Sequence, residues 1–247
     1  MAKQYISLQG ELILAKIING VAGNLFSVGN VPEATISITS DQVPHYEATT
    51  GQRAKDAQLF KQTGVSLKAT LEEVKKENLS IVLSGKTIEV AEKTIADESI
   101  GSVTAGATVD LGLRNLSEVV FKSAPDTTIT EDKYVLDAAF GTVTFIEAIV
   151  GDVKWSGKSG AVTRTAIAND IGKNTYRLLF KGIDTFTGDK IALTLWNLEF
   201  SPETEFSLIH EDFGSFELEG DALADTSKAN DTELSIFGHV DRFKVAA

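Results

Sequence analysis

Few groups in this chain could do chemistry, and their spacing is poor. Gly157-Lys158-Ser159 follows an apolar run and has the residues that close a phosphate-binding loop. Such a loop needs a glycine five positions before Gly157, so that backbone N–H groups can cradle a phosphate. Asp152 stands there, and Gly151 is one residue too far. No helical pattern follows Ser159, so the stretch reads as a surface turn. The histidines, His45, His210 and His239, are widely separated and lack the His-x-x-x-His spacing that brings two ring nitrogens to one metal. They read as surface or strand residues. His210-Glu211-Asp212 is a dense polar cluster that a strand end explains. The chain has no cysteine, which excludes disulfides, thiolate metal sites and thiol nucleophiles. It has no Gly-x-Ser-x-Gly turn. Carboxylates are so numerous that no acid–base pair stands out. The expectation is a protein with no catalytic residues, no metal site and no cofactor.

Charge says more than motif. The 247 residues include 23 Lys and Arg against 35 Asp and Glu, a formal net charge of −12. Nucleic acid is normally held by neutralising its phosphates, so this balance argues against ordinary nucleic-acid binding. No apolar run approaches the ~20 residues of a membrane helix, and MAKQYISLQG reads as no secretion signal. No membrane contact is expected. The charge is also unevenly spread. From Ile191 to Ser227 there is no Lys or Arg, while Glu199, Glu203, Glu205, Glu211, Asp212, Glu217, Glu219, Asp221 and Asp225 all fall there. Either this is a solvated acidic face, or it is a wall that must not hold a polyanion. Gln42–Lys76 has the opposite balance, with Arg53, Lys55, Lys61, Lys68, Lys75 and Lys76. A basic segment of one subunit could dock on the acidic rim of another, which would set register more than affinity.

The elements that carry these residues read as mainly β. Ile6, Leu8, Leu12 and Leu14 alternate with polar positions as a first strand, and Asn19-Gly20 marks a turn. Ala34, Ile36 and Ile38 form one face of a second strand whose other face is hydroxyls. Asp41–Thr63 has few large apolar residues and reads as a long loop or extended hairpin, a length that is usually functional or flexible. Val65, Leu67 and Ala69 alternate again. Thr70-Leu71-Glu72-Glu73 fits a capping box, which predicts a helix with the stripe Leu71, Val74, Asn78, Ile81 and Val82 and with Gly85 as its C′ residue. Ile88–Val109 is weakly patterned. Short strands are expected at Glu118–Phe121, Tyr134–Leu136 and Thr142–Ala148. From Tyr176 the alternation is strong, and its parity switches at Trp196, which predicts a bulge or a strand buried on both faces. Further strand signals come at Phe206–Ile209, Phe213–Leu218 and Leu234–Val240. The fold class expected is mainly β, an antiparallel sandwich or barrel-like domain with one flanking α-helix.

The run Tyr46-Glu47-Ala48-Thr49-Thr50-Gly51-Gln52-Arg53, then Asp56 and Lys61, resembles major tail (tail tube) proteins of long-tailed bacteriophages. So do Leu71-Glu72-Glu73-Val74 with Glu77-Asn78-Leu79, and Tyr134-Val135-Leu136-Asp137 with Gly141-Thr142-Val143-Thr144-Phe145. The resemblance implies a single tail tube domain over 1–247, with an insertion at about 101–172. It implies subunits that form six-membered rings, or pseudo-hexameric trimers, which stack into an acidic conduit for DNA ejection. The partners implied are the chain itself, the tape measure, tail terminator and distal tail proteins, and phage DNA that passes without specific binding. The place implied is the virion tail, after assembly in the bacterial cytoplasm. Residues of the inter-ring stacking loop would be His45, Tyr46, Glu47, Gln52, Arg53, Lys55 and Asp56. An acidic wall or rim would draw on Glu199, Glu203, Glu205, Glu211 and Asp212. The alternative from a different class is a soluble β-sandwich binding module for carbohydrate or receptor.

Overall fold

The computed structural model describes residues 5–202 and 205–244. The protein is mainly β, and its described residues contain one α-helix. It divides into two compact units. The first comprises residues 1–86 with 165–247, and the second Thr87–Arg164. The sequence places an insertion at about 101–172; the second unit begins earlier, and the chain crosses into it within β5 (Lys86–Val90).

The first unit opens with β1 (Leu8–Ile18) and β2 (Val21–Ser27), joined at Asn19-Gly20. Both turn residues have positive φ, 52° and 78°. This is the backbone twist a two-residue hairpin needs, and Asn-Gly tolerates it. Next come β3 (Glu33–Tyr46), β4 (Lys55–Leu71) and α1 (Lys76–Val82).

The helix is shorter than the sequence predicts. Thr70 does not cap it, because Thr70 and Leu71 stay in β4, where Thr70 lies opposite both Glu33 and Glu217 and Leu71 opposite Phe216. Leu71 is fully buried in the strand, so tertiary packing overrides the local capping signal. The two glutamates serve the start of β3 instead. Asn30 donates its backbone N–H to Glu73 Oε1 at 2.8 Å and its side-chain amide to Glu72 Oε2 at 2.5 Å. Of the predicted stripe, Asn78, Ile81 and Val82 are buried on the helix, while Val74 is exposed. The left-handed residue after the helix is Ser84, not Gly85. Gly85 is needed for another reason: a Cβ there would lie 2.2 Å from the Ala166 carbonyl oxygen.

The second unit holds the rest of β5, then β6 (Lys93–Val103), β7 (Thr108–Asp110), β8 (Leu116–Ser123), β9 (Thr127–Thr128), β10 (Tyr134–Asp137), β11 (Thr142–Phe145), β12 (Ile149–Ser159) and β13 (Val162–Ala166), which ends in the first unit. The sheet order is β6-β12-β8-β9 in one sheet and β10-β11-β7 in another, while β13 pairs β5. Its core is aromatic: the Phe121 ring meets Tyr134 at 4.8 Å and Phe145 at 5.6 Å, edge-on, beside buried Trp155. Gly157-Lys158-Ser159 is not a surface turn but the end of β12. Lys158 pairs with Glu118 at 2.7 Å, and buried Ser159 accepts the Lys93 N–H at 3.2 Å.

The first unit resumes with β14 (Thr175–Asp184), β15 (Lys190–Phe200), β16 (Phe216–Leu223) and β17 (Gly238–Phe243). Its eight-stranded antiparallel sheet runs β2-β1-β14-β15-β16-β4-β3, with β17 also on β15. The sheet is open, with β2 and β3 at its edges, and does not close into a barrel. The predicted bulge is present: Tyr176 faces Leu198 and Leu178 faces Leu195, so Trp196 and Asn197 share Arg177. At this bulge β15 changes partner, from β17 over Lys190–Leu195 to β16 over Asn197–Phe200. Trp196 secures the change by donating its indole N–H to Ser235 O at 2.8 Å. The strand expected at Phe206–Ile209 is absent, and that stretch is loop.

Candidate functional site

The hairpin of β3 and β4 is the longest paired element in the chain. Only Ser66–Leu71 of β4 also pairs with β16. Beyond that point the two strands hold only each other, from Ile38 opposite Val65 out to Tyr46 opposite Lys55. This projecting part extends about 30 Å at the usual rise per residue. The predicted long loop is therefore an extended hairpin, with a bulge after Asp41 where Lys61 is the extra residue. It exposes Ile38, Val43, Tyr46, Leu59 and Phe60. Val43 and Leu59 are direct partners on one face, while Phe60 sits opposite Gln42 on the other.

The residues expected in a stacking loop all sit at this end. His45 and Tyr46 finish β3, Lys55 and Asp56 begin β4, and Glu47, Gln52 and Arg53 lie in the tip between them. The tip is organised by carboxylates. Glu47 accepts from the Thr49 N–H at 2.8 Å, from the Thr50 N–H at 3.0 Å, and from both threonine hydroxyls. These bonds, with Thr50 foremost, pull the Glu47 pKa down to about 2. His45 Nδ1 lies 2.6 Å from Asp56 Oδ1, and this contact holds the Asp56 carboxyl below its usual range. Arg53 adopts φ 49° at the turn.

The acidic set predicted from sequence is split by the structure. Glu199 lies on β15 within the sheet. Glu205, Glu211 and Asp212 are exposed in the loop after β15, and Glu203 lies outside the described residues. The sheet brings Glu199 together with Asp221, Glu219 and Glu217 of the same acidic run, which were left out of the wall or rim set, and with Glu33 of β3. Opposed residues of an antiparallel pair share a face. One row therefore reads Glu199, Asp221, Ser66 and Ser37; the next Glu219, Lys68 and Thr35; the next Glu217, Thr70 and Glu33. Lys68 is the one base in these rows, and two carboxylates hold it, Glu217 at 2.6 Å and Glu219 at 2.8 Å. Both raise its pKa, Glu217 first. The remaining positions in the rows are the carboxylates Glu199, Asp221 and Glu33 and the hydroxyls of Ser66, Ser37, Thr35 and Thr70. The signal for this face was in the sequence as the alternation Phe216-Glu217-Leu218-Glu219-Gly220-Asp221, buried and exposed in turn.

Among the described residues, no group of three His, Cys, Asp or Glu side chains is placed to hold a metal, and no helix is long and apolar enough to cross a membrane. A comparison with curated proteins gave no match. A family model described as "Protein of unknown function UCP028589" matches residues 5–241, a span that includes the hairpin, the acidic face and the whole second unit, and the chain belongs to that family.

Proposed function

We propose that this chain is the structural subunit of a self-assembling tube, like the major tail proteins of long-tailed bacteriophages that its sequence resembles. The work it does is assembly rather than catalysis. The observation that carries this reading is the projecting half of the β3–β4 hairpin. A lone two-stranded hairpin is at best marginally stable in water, and this one bears Val43, Leu59 and Phe60 uncovered. A long uncovered hairpin of this kind fits a subunit that another subunit covers. The sheet edges point the same way. Strands β2 and β3 are the two ends of one open sheet, so β3 of one copy can continue onto β2 of the next. Such a contact uses two different surfaces, and it closes into a ring when the rotation closes. Only in the ring would the sheet become barrel-like.

The acidic face supplies a reason for the charge. Polyanionic DNA is repelled by a wall of Glu33, Glu199, Glu217, Glu219 and Asp221, and it slides past because the one base in these rows, Lys68, is already held by Glu217 and Glu219. His45 to Asp56 at the hairpin end would contact the next ring. The other tail components named above and a virion location belong to the same reading.

Two measurements test it. Sedimentation of the purified chain should show ring-sized and larger species. Replacing Glu47–Ala54 by a two-residue Asn-Gly turn should leave a folded subunit that no longer elongates. Elongation of the shortened chain at the wild-type rate would refute the role given to the hairpin. In the second measurement, the assembled wild type should not retain a double-stranded DNA fragment at low salt. The Glu217→Lys/Glu219→Lys variant should retain it.

A further inference from the structure

The two edges of the eight-stranded sheet are bare in a way that the other strand edges are not. Proteins blunt an edge with charge, proline, a bulge or shortness, because its unpaired N–H and C=O groups accept another strand. In the second unit, β7, β9 and β10 are two to four residues long, and the pairing of β6 on β12 is broken by register shifts. Lys86, Glu89 and Arg164 mark β5 and β13, and Asp241 and Arg242 mark β17. No such device interrupts β3 from Ala34 to Ser40. That stretch has no charge and no proline, and the first register shift of β3 comes after Asp41. At the other edge, β2 has no charge and no proline, and its one irregularity stands at Gly23-Asn24. Each stretch is seven residues long.

The faces of these two edges match. On the core side, Ile36 of β3 and Phe26 of β2 both pack partly against the core. Ile38 follows Ile36 on that side and is 76% exposed. On the opposite side stand Thr35, Ser37 and Thr39 of β3, and Ala22, Leu25 and Ser27 of β2. A β3 edge laid beside a β2 edge therefore sets apolar against apolar on one face and small or hydroxyl side chains on the other.

Strand direction then fixes how a copy can join. Six antiparallel steps lead from β2 through β1, β14, β15, β16 and β4 to β3. The number is even, so the two edge strands run the same way. Subunits related by rotation about a tube axis carry their sheets in one orientation, so β3 of one copy meets β2 of the next with both running in the same sense. A twofold axis would instead pair β3 with β3, antiparallel, and leave β2 bare. A foreign strand would also cover one edge and not the other. A second copy set head to tail covers both edges with one kind of contact, and it is the occupant that this pair of edges fits.

We propose that the junction between neighbouring copies is a parallel β3–β2 pair, set into an otherwise antiparallel sheet. Parallel pairing is slightly less stable per residue than antiparallel pairing, so the junction is the seam at which a ring opens. The outer hairpin beyond Asp41 stays free for the contact with the next ring. The inference rests on the reading that the chain self-assembles head to tail, and it adds the direction and the reach of the joining strands.

The cysteine-free sequence lets direction be read by cross-linking. Ala22 and Leu25 share a face and stand opposite Ile17 and Ala15, two positions apart on the ladder. One preparation carries Ala22→Cys or Leu25→Cys. A second, size-tagged one carries a single cysteine in place of Glu33, Thr35, Ser37 or Thr39. The two are mixed under assembly conditions and oxidised. When the β2 cysteine moves from Ala22 to Leu25, the β3 position that cross-links best should move two residues toward the C-terminus. A move of two residues toward the N-terminus overturns the parallel junction. Dominant cross-links between two β3 cysteines overturn it in favour of twofold pairing. Assembly with no β2–β3 cross-link overturns the junction and leaves the tube reading intact. A wild type that does not associate at all refutes both readings together. Independently, Ile38→Lys places a charge on the bare edge. It should leave the near-ultraviolet circular dichroism unchanged and weaken association about tenfold or more. Wild-type association of the folded Ile38→Lys chain would also overturn the junction.

Discussion

The two halves of β4 differ more than any two neighbouring segments of this molecule. From Ser66 to Leu71 the strand is paired on both sides, by β3 and β16, and Leu67, Ala69 and Leu71 are buried. From Lys55 to Val65 it is paired by β3 alone, and Leu59 and Phe60 face solvent. One continuous strand is fold at one end and bare surface at the other. Pairing with β3 runs through both halves, with register shifts only in the outer one, while β16 adds a second partner to the inner half alone. That second partner brings side-chain cover, which only the inner half has within the subunit. Substitutions should therefore act on subunit stability in the inner half and on assembly in the outer half.

The largest effect is expected at the inner end. Leu71→Ala removes a fully buried side chain beside Phe216 and should cost about 2–5 kcal/mol, read as a lower urea midpoint. At the outer end, Leu59→Ser/Phe60→Ser should change subunit stability by no more than about 0.5 kcal/mol, while light scattering shows elongation lost. If the outer variant instead unfolds as readily as Leu71→Ala, the division of β4 is wrong.

This division also explains what could be read from the sequence. Alternation was plain where one face is covered, as at Val65, Leu67 and Ala69, and at Tyr176, Leu178 and Phe180. Asp41–Thr63 left loop and hairpin open, because neither face is covered and nothing imposes a period on its side chains. Thr70-Leu71-Glu72-Glu73 misled because its local capping pattern is outweighed by long-range partners, Phe216 for Leu71 and Asn30 for the glutamates. The bulge at Trp196 showed as a parity switch, whereas its role in handing β15 from β17 to β16 depends on pairings that only the fold makes. Among the acidic residues, Glu199 was placed with Glu203, Glu205, Glu211 and Asp212 by sequence proximity. The sheet sets it beside Asp221 instead, because register rather than chain order decides neighbours.

Smaller effects sharpen the comparison at the boundary and the tip. Lys68 stands next to the junction of the two halves, between Glu217 and Glu219. Lys68→Gln leaves those carboxylates facing each other without a counter-charge. A small loss of thermal stability is expected at neutral pH, which should disappear below the carboxylate range, where the glutamates are protonated. A loss that persists at low pH would mean that the lysine acts through packing of its stem.

The smallest effect is expected at the tip. The Glu47 pKa is lowered from 4.5 to about 2. Because the folded value is depressed, its contribution to tip order is fully present above pH 4.5 and is lost as pH falls through about 2. Corrected for the chemical rate, amide exchange at Thr49 and Thr50 should quicken over that window and remain unchanged between pH 5 and 8. In Glu47→Gln it should be faster throughout and independent of pH apart from the chemical rate. Global unfolding should not move in either case.

Electron microscopy of the purified chain across protein concentration and salt tests the central claim most directly. The account predicts rings or tubes with a central hole, lengthening as concentration rises. A monodisperse monomer at high concentration under every salt condition would contradict it.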